Sequence, residues 1–225
     1  MKNEVVGSMS DWSGVLKDLF RQIGDGSITL PQLQAVLERK VLSDIDWSRV
    51  YTELGMSAEY AEFAKTLSVQ AGSNLWREPV IKGATCNKAV AALRKLGVNV
   101  YVYTEDLDGN VPTNDRDPSK GSYTIGFARA VEADEANKGL SAKALAKAGH
   151  KGITLLERLL LELGYFLATN QHLDVKNITL CAGSRDSDGG FPFVDWGSVS
   201  RKVYVRWCSP GHCSDCIRSR SVVSS

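Results

Sequence analysis

The sequence predicts an α+β fold in which an N-terminal helical region precedes a helix-covered antiparallel or mixed sheet. Two patterns indicate this class. Apolar residues recur at helical spacing through residues 10–70, whereas the alternation of apolar and polar residues that is typical of strands starts only beyond residue 97. The composition is that of an ordinary globular protein, with 43% hydrophobic and 24% charged residues. A chain of 225 residues with this composition is long enough to bury a core.

The N-terminal region, residues 10–70, is predicted to contain four helices. They would begin at the capping residues Asp11, Thr29, Asp46 and Ser57. The oxygen of such a side chain accepts a hydrogen bond from a backbone N–H of the first helical turn. Residues 71–84 carry Gly72, Pro79 and Gly83, and this pattern predicts a linker to the next domain.

An α+β domain is predicted over residues 85–217, followed by a flexible tail at 218–225. Helices are expected behind Thr85, Ser141 and Thr154, and strands at 98–103, 122–129, 178–182 and 202–207. The helix behind Thr154 opens with a capping box, in which Glu157 is the partner residue. It is too rich in leucine for a surface helix, so we expect it to be the central core helix.

An internal repeat relates two parts of this domain. The segment Asp106–Pro112 returns 80 residues later as Asp186–Pro192, and both segments read D-x-D-G-x-x-P. The strands predicted on either side of the first segment align without gaps on those around the second. We therefore interpret the sheet as a duplicated helix–strand–loop–strand unit, with chance similarity as the alternative.

The repeated loops bring aspartates close together in the sequence. The candidate residues of these acidic loops are Asp106, Asp108, Asp115, Asp186, Asp188 and Asp195. Paired carboxylates on a turn are suited to a hard cation such as Mg²⁺ or Ca²⁺. Asp–Gly pairs are also common in turns, where the aspartate caps loop amides and the glycine tolerates a positive φ. The sequence favours the turn interpretation and leaves the metal site as the alternative.

The stretch Tyr101–Gly109 resembles the first motif of the haloacid-dehalogenase-like phosphatases. That family carries an aspartate nucleophile at the end of a strand and a second aspartate two residues later, with Mg²⁺ between them. The resemblance implies a Mg²⁺-dependent phosphoryl-transfer enzyme, with Asp106 as nucleophile and Asp108 as acid/base. Thr104 and Glu105 depart from the family, whose strand is apolar at these positions.

Four residues near the end of the last predicted strand have the chemistry of a zinc site. They are Cys208, His212, Cys213 and Cys216, with the spacing C-x4-C-x2-C, and the alternative to His212 as fourth ligand is Cys181, Cys86 or His172. Thiolate and imidazole groups select zinc, which is held tetrahedrally in structural sites. Zinc is therefore the candidate cofactor, and reduced surface thiols are the alternative. The odd total of five cysteines fits either of these better than a disulfide framework.

The charge balance excludes a strong global attraction to nucleic acid or anionic lipid, since 27 Lys and Arg face 26 Asp and Glu. No stretch reaches the ~18 apolar residues of a membrane span, and Met1–Ser10 lacks the apolar part of a secretory signal. We therefore expect a cytoplasmic protein with no membrane partner. Residues 201–220 are locally basic, with Tyr204 and Trp207 among the bases. This mixture suits single-stranded nucleic acid, although the sequence favours a solvated strand and a frayed tail.

Residues 153–207 resemble an uncharacterised family of hypothetical proteins from small-genome candidate-phylum bacteria. The resemblance is carried by Ile153–Arg158, Leu180–Arg185 and Arg201–Val205, and it implies no activity. The leading functional hypothesis is a non-enzymatic binding or interaction protein. The alternatives are the phosphoryl-transfer enzyme and a zinc-stabilised nucleic-acid-binding module.

Overall fold

The computed structural model of this chain describes residues 9–27, 29, 45–67 and 75–224, which belong to two compact units. The first unit spans residues 1–43 and the second spans residues 44–225. In the first unit, helix α1 (Met9–Gly24) ends before Gly26, which has a φ of +76°. The helix predicted behind Thr29 falls in residues 30–44, outside the described residues.

The second unit contains both helices and strands. Its helices are α2 (Trp47–Glu53), α3 (Ser57–Ala64), α4 (Cys86–Lys95), α5 (Leu107–Asn110), α6 (Ala142–Lys147) and α7 (Leu155–Thr169), with a 3-10 turn at Glu135–Asn137. Its strands are β1 (Leu75–Val80), β2 (Val100–Val102), β3 (Thr113–Asn114), β4 (Tyr123–Ala128), β5 (Ile178–Leu180), β6 (Ser184–Arg185), β7 (Phe191–Gly197), β8 (Lys202–Cys208), β9 (Ile217–Arg218) and β10 (Val223–Ser224). Across the described ranges, no helix combines the length and apolar character needed to cross a membrane.

The strands form three sheets, and the α+β prediction is confirmed. A three-stranded antiparallel sheet has the order β1-β4-β10. A five-stranded mixed sheet has the order β2-β8-β7-β5-β9, in which β2 runs parallel to β8 and β7 runs antiparallel to it. Strands β3 and β6 form a short antiparallel ladder.

Helix α7 is the centre of the second unit, as its leucine content predicts. The capping box at Thr154 starts the helix, and every residue from Leu155 to Tyr165 is buried. The helix contacts β1 of the three-stranded sheet and β7 of the five-stranded sheet. Against β1, the rings of Tyr165 and Trp76 meet edge to face, with centroids 5.9 Å apart. Since each fully buried leucine side chain contributes about 1.5–3 kcal/mol, α7 is a major source of stability.

The segment that the sequence predicts to be a linker, 71–84, contains a strand. Residues 71–74 lie outside the described residues, but β1 follows directly and pairs with β4 along its whole length. Trp76 in this strand is only 2% exposed. Glycine and proline near the ends of a short strand therefore give the same sequence pattern as a linker.

The predicted flexible tail, residues 218–225, is held by a buried ionic network. Arg220 is fully buried and lies 2.8 Å from the carboxylate of Asp174, which also pairs with Arg158 at 2.8 Å. Arg158 in turn pairs with Glu162 at 2.8 Å. Although burial opposes ionisation, Arg220 and Arg158 hold the pKa of Asp174 below its ordinary value. The tail is ordered because its arginine completes a charge network that no local sequence pattern reveals.

The predicted duplication is wrong at the level of topology. The strand after the first loop region, β4, belongs to the three-stranded sheet, whereas its expected counterpart β8 belongs to the five-stranded sheet. The strands before the loops also differ, since β2 pairs with β8 alone and β5 pairs with both β7 and β9. A short shared turn sequence specifies a local loop and does not specify the strand pairing around it.

Candidate nucleic-acid interface

The aspartates of the first acidic loop cap helices. The carboxylate of Asp108 accepts hydrogen bonds from the backbone N–H groups of Cys86 at 2.7 Å and Asn87 at 3.1 Å, at the start of α4. Asp106 accepts from Gly109 N at 3.0 Å and from the Asn87 side chain at 3.0 Å. The Gly109 N–H is the main cause that lowers the pKa of Asp106. These contacts match the turn interpretation. They occupy both carboxylate oxygens of Asp108 and one oxygen, Oδ1, of Asp106.

An aspartate also accepts hydrogen bonds from backbone N–H groups within the second acidic loop. Asp186 accepts from the backbone N–H groups of Gly190 at 2.6 Å and Asp188 at 3.0 Å. Asp188 is exposed, and Asp115 lies 3.5 Å from the Arg185 guanidinium. The two loops touch, yet among the described residues no group of three or more His, Cys, Asp or Glu side chains is arranged to hold a metal ion.

The cysteines predicted to bind zinc separate into two environments. Cys208 is buried in an apolar cluster beneath α6, and this burial raises the pKa of its thiol to about 11. His212, Cys213 and Cys216 are exposed in the loop between β8 and β9. The structure thus brings no complete zinc site together within the described part of the chain.

The five-stranded sheet has one face that is only partly covered. Along β8, Val203 and Val205 point to the core, so Lys202, Tyr204 and Arg206 lie on the opposite face. Helix α6 covers one half of this opposite face, through the cluster that includes Leu145, Leu180, Phe191 and Cys208. The other half carries the residues that we call the open face: Tyr101, Asp195, Lys202, Tyr204 and Arg206.

Aromatic and guanidinium groups lie side by side on the open face. Strand register pairs Tyr101 with Tyr204, and their ring centroids are 5.6 Å apart. The guanidinium carbon of Arg206 lies 4.0 Å from the centroid of the Tyr204 ring. Tyr101 is 48% exposed, on the edge strand of the sheet. The face therefore presents an aromatic ring and a planar cation, both supported from below by the sheet.

Asp195 is the acidic member of the open face. It lies opposite Tyr204 in the register, yet its carboxylate makes no hydrogen bond or ion pair with any described residue. Its Oδ1 atom is buried without a partner. Burial raises the pKa of Asp195, while the nearby Arg206 opposes that shift. A carboxylate in this state lowers the stability of the fold, because a buried acceptor without a partner loses its hydration and gains no hydrogen bond in return.

The charge around the open face is positive. Strand β8 carries Lys202 and Arg206, and Arg201 lies just before its first residue. Helix α6, which covers the adjoining half of the sheet, adds two exposed lysines, Lys143 and Lys147. Asp195 is the only acid in this set, since neither α6 nor β8 contains one. This local excess of cations complements a phosphate backbone.

The other basic and aromatic residues of the C-terminal stretch do not lie on the open face. Trp196 stacks on His172 with centroids 3.6 Å apart, and Trp207 lies on the opposite face of the sheet from Tyr204. Arg218 pairs with Glu135, and Arg220 is buried. Tyr101 is the residue that sequence reasoning missed, because only the parallel pairing of two strands distant in sequence brings it beside Tyr204.

Comparison of the chain with protein-family models, curated proteins and solved structures finds no match. The resemblance of residues 153–207 to a family of hypothetical proteins stays a prediction.

Proposed function

We propose that this protein is a non-enzymatic binding protein that takes up single-stranded nucleic acid on the open face of its five-stranded sheet. The observation that carries the proposal is the group of Tyr101, Tyr204 and Arg206 on the uncovered half of the sheet. The two tyrosine ring centroids are 5.6 Å apart, and the Arg206 guanidinium carbon lies 4.0 Å from the Tyr204 centroid. Unpaired bases stack on aromatic rings and on arginine guanidinium planes.

The parts of the open face have different roles in this function. The exposed ring of Tyr101 supplies one stacking surface, and the Arg206 guanidinium, supported by Tyr204, supplies a second. Lys202 and the lysines of α6 attract the phosphates, whose negative charge they complement. A single strand fits this face better than a duplex, because duplex bases are already stacked on one another and do not offer their planes.

Binding can be measured by fluorescence anisotropy with short labelled oligonucleotides of DNA and of RNA. We expect Tyr101→Ala to weaken binding by about 5- to 150-fold, since stacking of one base on an aromatic side chain contributes roughly 1–3 kcal/mol. Arg206→Lys keeps the charge and removes the planar surface, so it should weaken binding while leaving the salt dependence nearly unchanged.

Trp207→Ala is the matched control, because Trp207 is also exposed, at 54%, but lies on the opposite face of the same strand. We expect it to bind as tightly as the unmodified protein. Oligonucleotide binding that is equal in the Tyr101, Arg206 and Trp207 variants would refute the proposed interface.

A further inference from the structure

The negative charge of Asp195 is unfavourable on a face that binds phosphate. A carboxylate repels the backbone of a nucleic acid, and on the open face it is surrounded by groups that attract it. The carboxylate has no hydrogen bond or ion pair with a described residue, so the fold itself does not require it there for pairing. A ligand group that donates hydrogen bonds to the carboxylate of Asp195 would offset its repulsion of the phosphates.

We infer that Asp195 is a specificity-determining residue that makes the open face prefer guanine among unpaired bases. The inference rests on the proposed nucleic-acid binding. An ionised carboxylate accepts hydrogen bonds and donates none. Guanine offers two adjacent donors on its Watson–Crick edge, N1–H and the 2-amino group, and both can converge on Oδ2, the carboxylate oxygen of Asp195 that is not buried.

The other bases match a carboxylate less well. Adenine and cytosine each place an acceptor nitrogen beside their amino donor, and thymine and uracil flank one donor with two carbonyl oxygens. Each of these edges would set an acceptor against the acceptor oxygens of Asp195. Only guanine can bind the carboxylate with two hydrogen bonds.

The position of Asp195 suits this role. It lies directly opposite Tyr204 in the β7–β8 register, and Arg206 stacks on Tyr204 at 4.0 Å. Directly opposed residues of antiparallel strands have Cβ atoms about 4.5–5.5 Å apart. A base stacked on the Arg206 guanidinium therefore extends its edge over the neighbouring strand, within reach of Asp195.

The experiment uses thymine oligonucleotides that differ only in the central bases, which are guanine, hypoxanthine or adenine. Hypoxanthine lacks the 2-amino group and keeps N1–H, so it removes one of the two proposed donors. We expect the unmodified protein to bind the guanine strand about 5- to 150-fold more tightly than the adenine strand, with hypoxanthine between them, as for a good base contact with two hydrogen bonds.

Two variants separate base selection from charge. Asp195→Ala should bring the affinities for the three strands together. Asp195→Asn presents an amide oxygen beside an amide donor, which is the arrangement that reads adenine, so the preference should move toward the adenine strand. Both variants should unfold at a temperature no lower than that of the unmodified protein, since Asp195 has no described hydrogen-bond partner to lose.

The possible failures are distinguishable. If the unmodified protein binds none of the strands, the proposed function itself is wrong. If it binds all three equally, and Asp195→Ala tightens all three by the same factor, Asp195 only repels phosphate; the inference is then overturned and nucleic-acid binding stands.

Discussion

Glu78 is a carboxyl group in an environment that opposes its ionisation. It lies in β1 with 0% exposure, and neither carboxylate oxygen has a hydrogen-bond partner among the described residues. Burial is the main cause that raises its pKa well above the ordinary value, and the buried carboxylate of Glu157 raises it further. Arg158 and Arg116 oppose the shift without cancelling it. Glu78 is thus a carboxyl group that the fold keeps protonated beyond the pH at which the unfolded chain ionises.

Replacing Glu78 with glutamine should change how stability depends on pH. Because the pKa is raised in the folded state, the contribution of Glu78 is fully present below the unfolded pKa and is lost as pH rises towards the folded pKa. The loss is about 1.4 kcal/mol per pH unit in that window. We expect Glu78→Gln to remove this slope and to be the more stable protein at neutral pH.

Urea unfolding at several pH values from mildly acidic to neutral measures the effect. Glu59→Gln, at an exposed position of α3, is the control and should follow the unmodified protein. If Glu78→Gln and the unmodified protein lose stability in parallel as pH rises, Glu78 ionises normally in the folded state.

At the scale of elements, the N-terminus of α7 combines a local capping box with hydrogen bonds from residues that are distant in the sequence. The Thr154 hydroxyl accepts from Glu157 N at 3.3 Å, and the Glu157 carboxylate accepts from Thr154 N at 2.8 Å. Glu157 also accepts from Arg116 Nε at 2.6 Å and from the Tyr123 hydroxyl at 3.0 Å. One capping carboxylate therefore fixes both the start of the core helix and the loop that leads to β4.

Thr154→Ala should lower the free energy of unfolding by about 1 kcal/mol, the usual effect of losing an N-cap side chain. Thr154→Ser keeps the accepting oxygen and should lose less. Guanidinium unfolding followed by tryptophan fluorescence distinguishes the two. Equal losses in both variants would mean that the Thr154 methyl group, and not the cap, is what α7 needs.

The features of the helices and loops that depend on local sequence were predictable, whereas the pairing of strands was not. The capping box and leucine pattern of α7 lie within a few residues of each other, so this helix and its burial are predictable. The Asp–Gly loops are equally local, and their turn chemistry is predicted while their sheet partners are not. The open face depends on the pairing of β2 with β8, which unites Tyr101 and Tyr204 across 103 positions of the chain. Sequence periodicity carries no information about which strands become neighbours.

At the scale of the whole molecule, the network around Asp174 connects distant parts of the second unit. Arg220 donates to Asp174 at 2.8 Å and to two backbone carbonyl groups just beyond β4, at 2.9 and 2.7 Å. Arg158 connects the same carboxylate to α7, and Thr179 connects it to β5. The sequence Arg218–Ser221 has the composition of a frayed tail, and only the tertiary structure supplies the anions that order it.

Arg220→Met should lower the free energy of unfolding by about 3–5 kcal/mol, because removing one partner from a buried ion network leaves charge without compensation. Arg94→Met is the control, since Arg94 is 41% exposed and pairs with an exposed glutamate; it should change stability by less than about 1 kcal/mol. Urea unfolding measures both. A loss for Arg220→Met no larger than for Arg94→Met would show that the network is dispensable.

The same network has a consequence for how the chain folds as a ribosome makes it. Arg220 is synthesised 62 residues after Arg158, which corresponds to about 3–12 seconds at ordinary rates of translation. Until residue 220 leaves the exit tunnel, a nascent chain that packs α7 must bury Asp174 with Arg158 as its single guanidinium partner. Such an intermediate lacks half of the guanidinium pairing that the complete network gives this carboxylate. We therefore expect the second unit to complete its core only after Arg220 has emerged, so that nearly the whole unit folds in one late step.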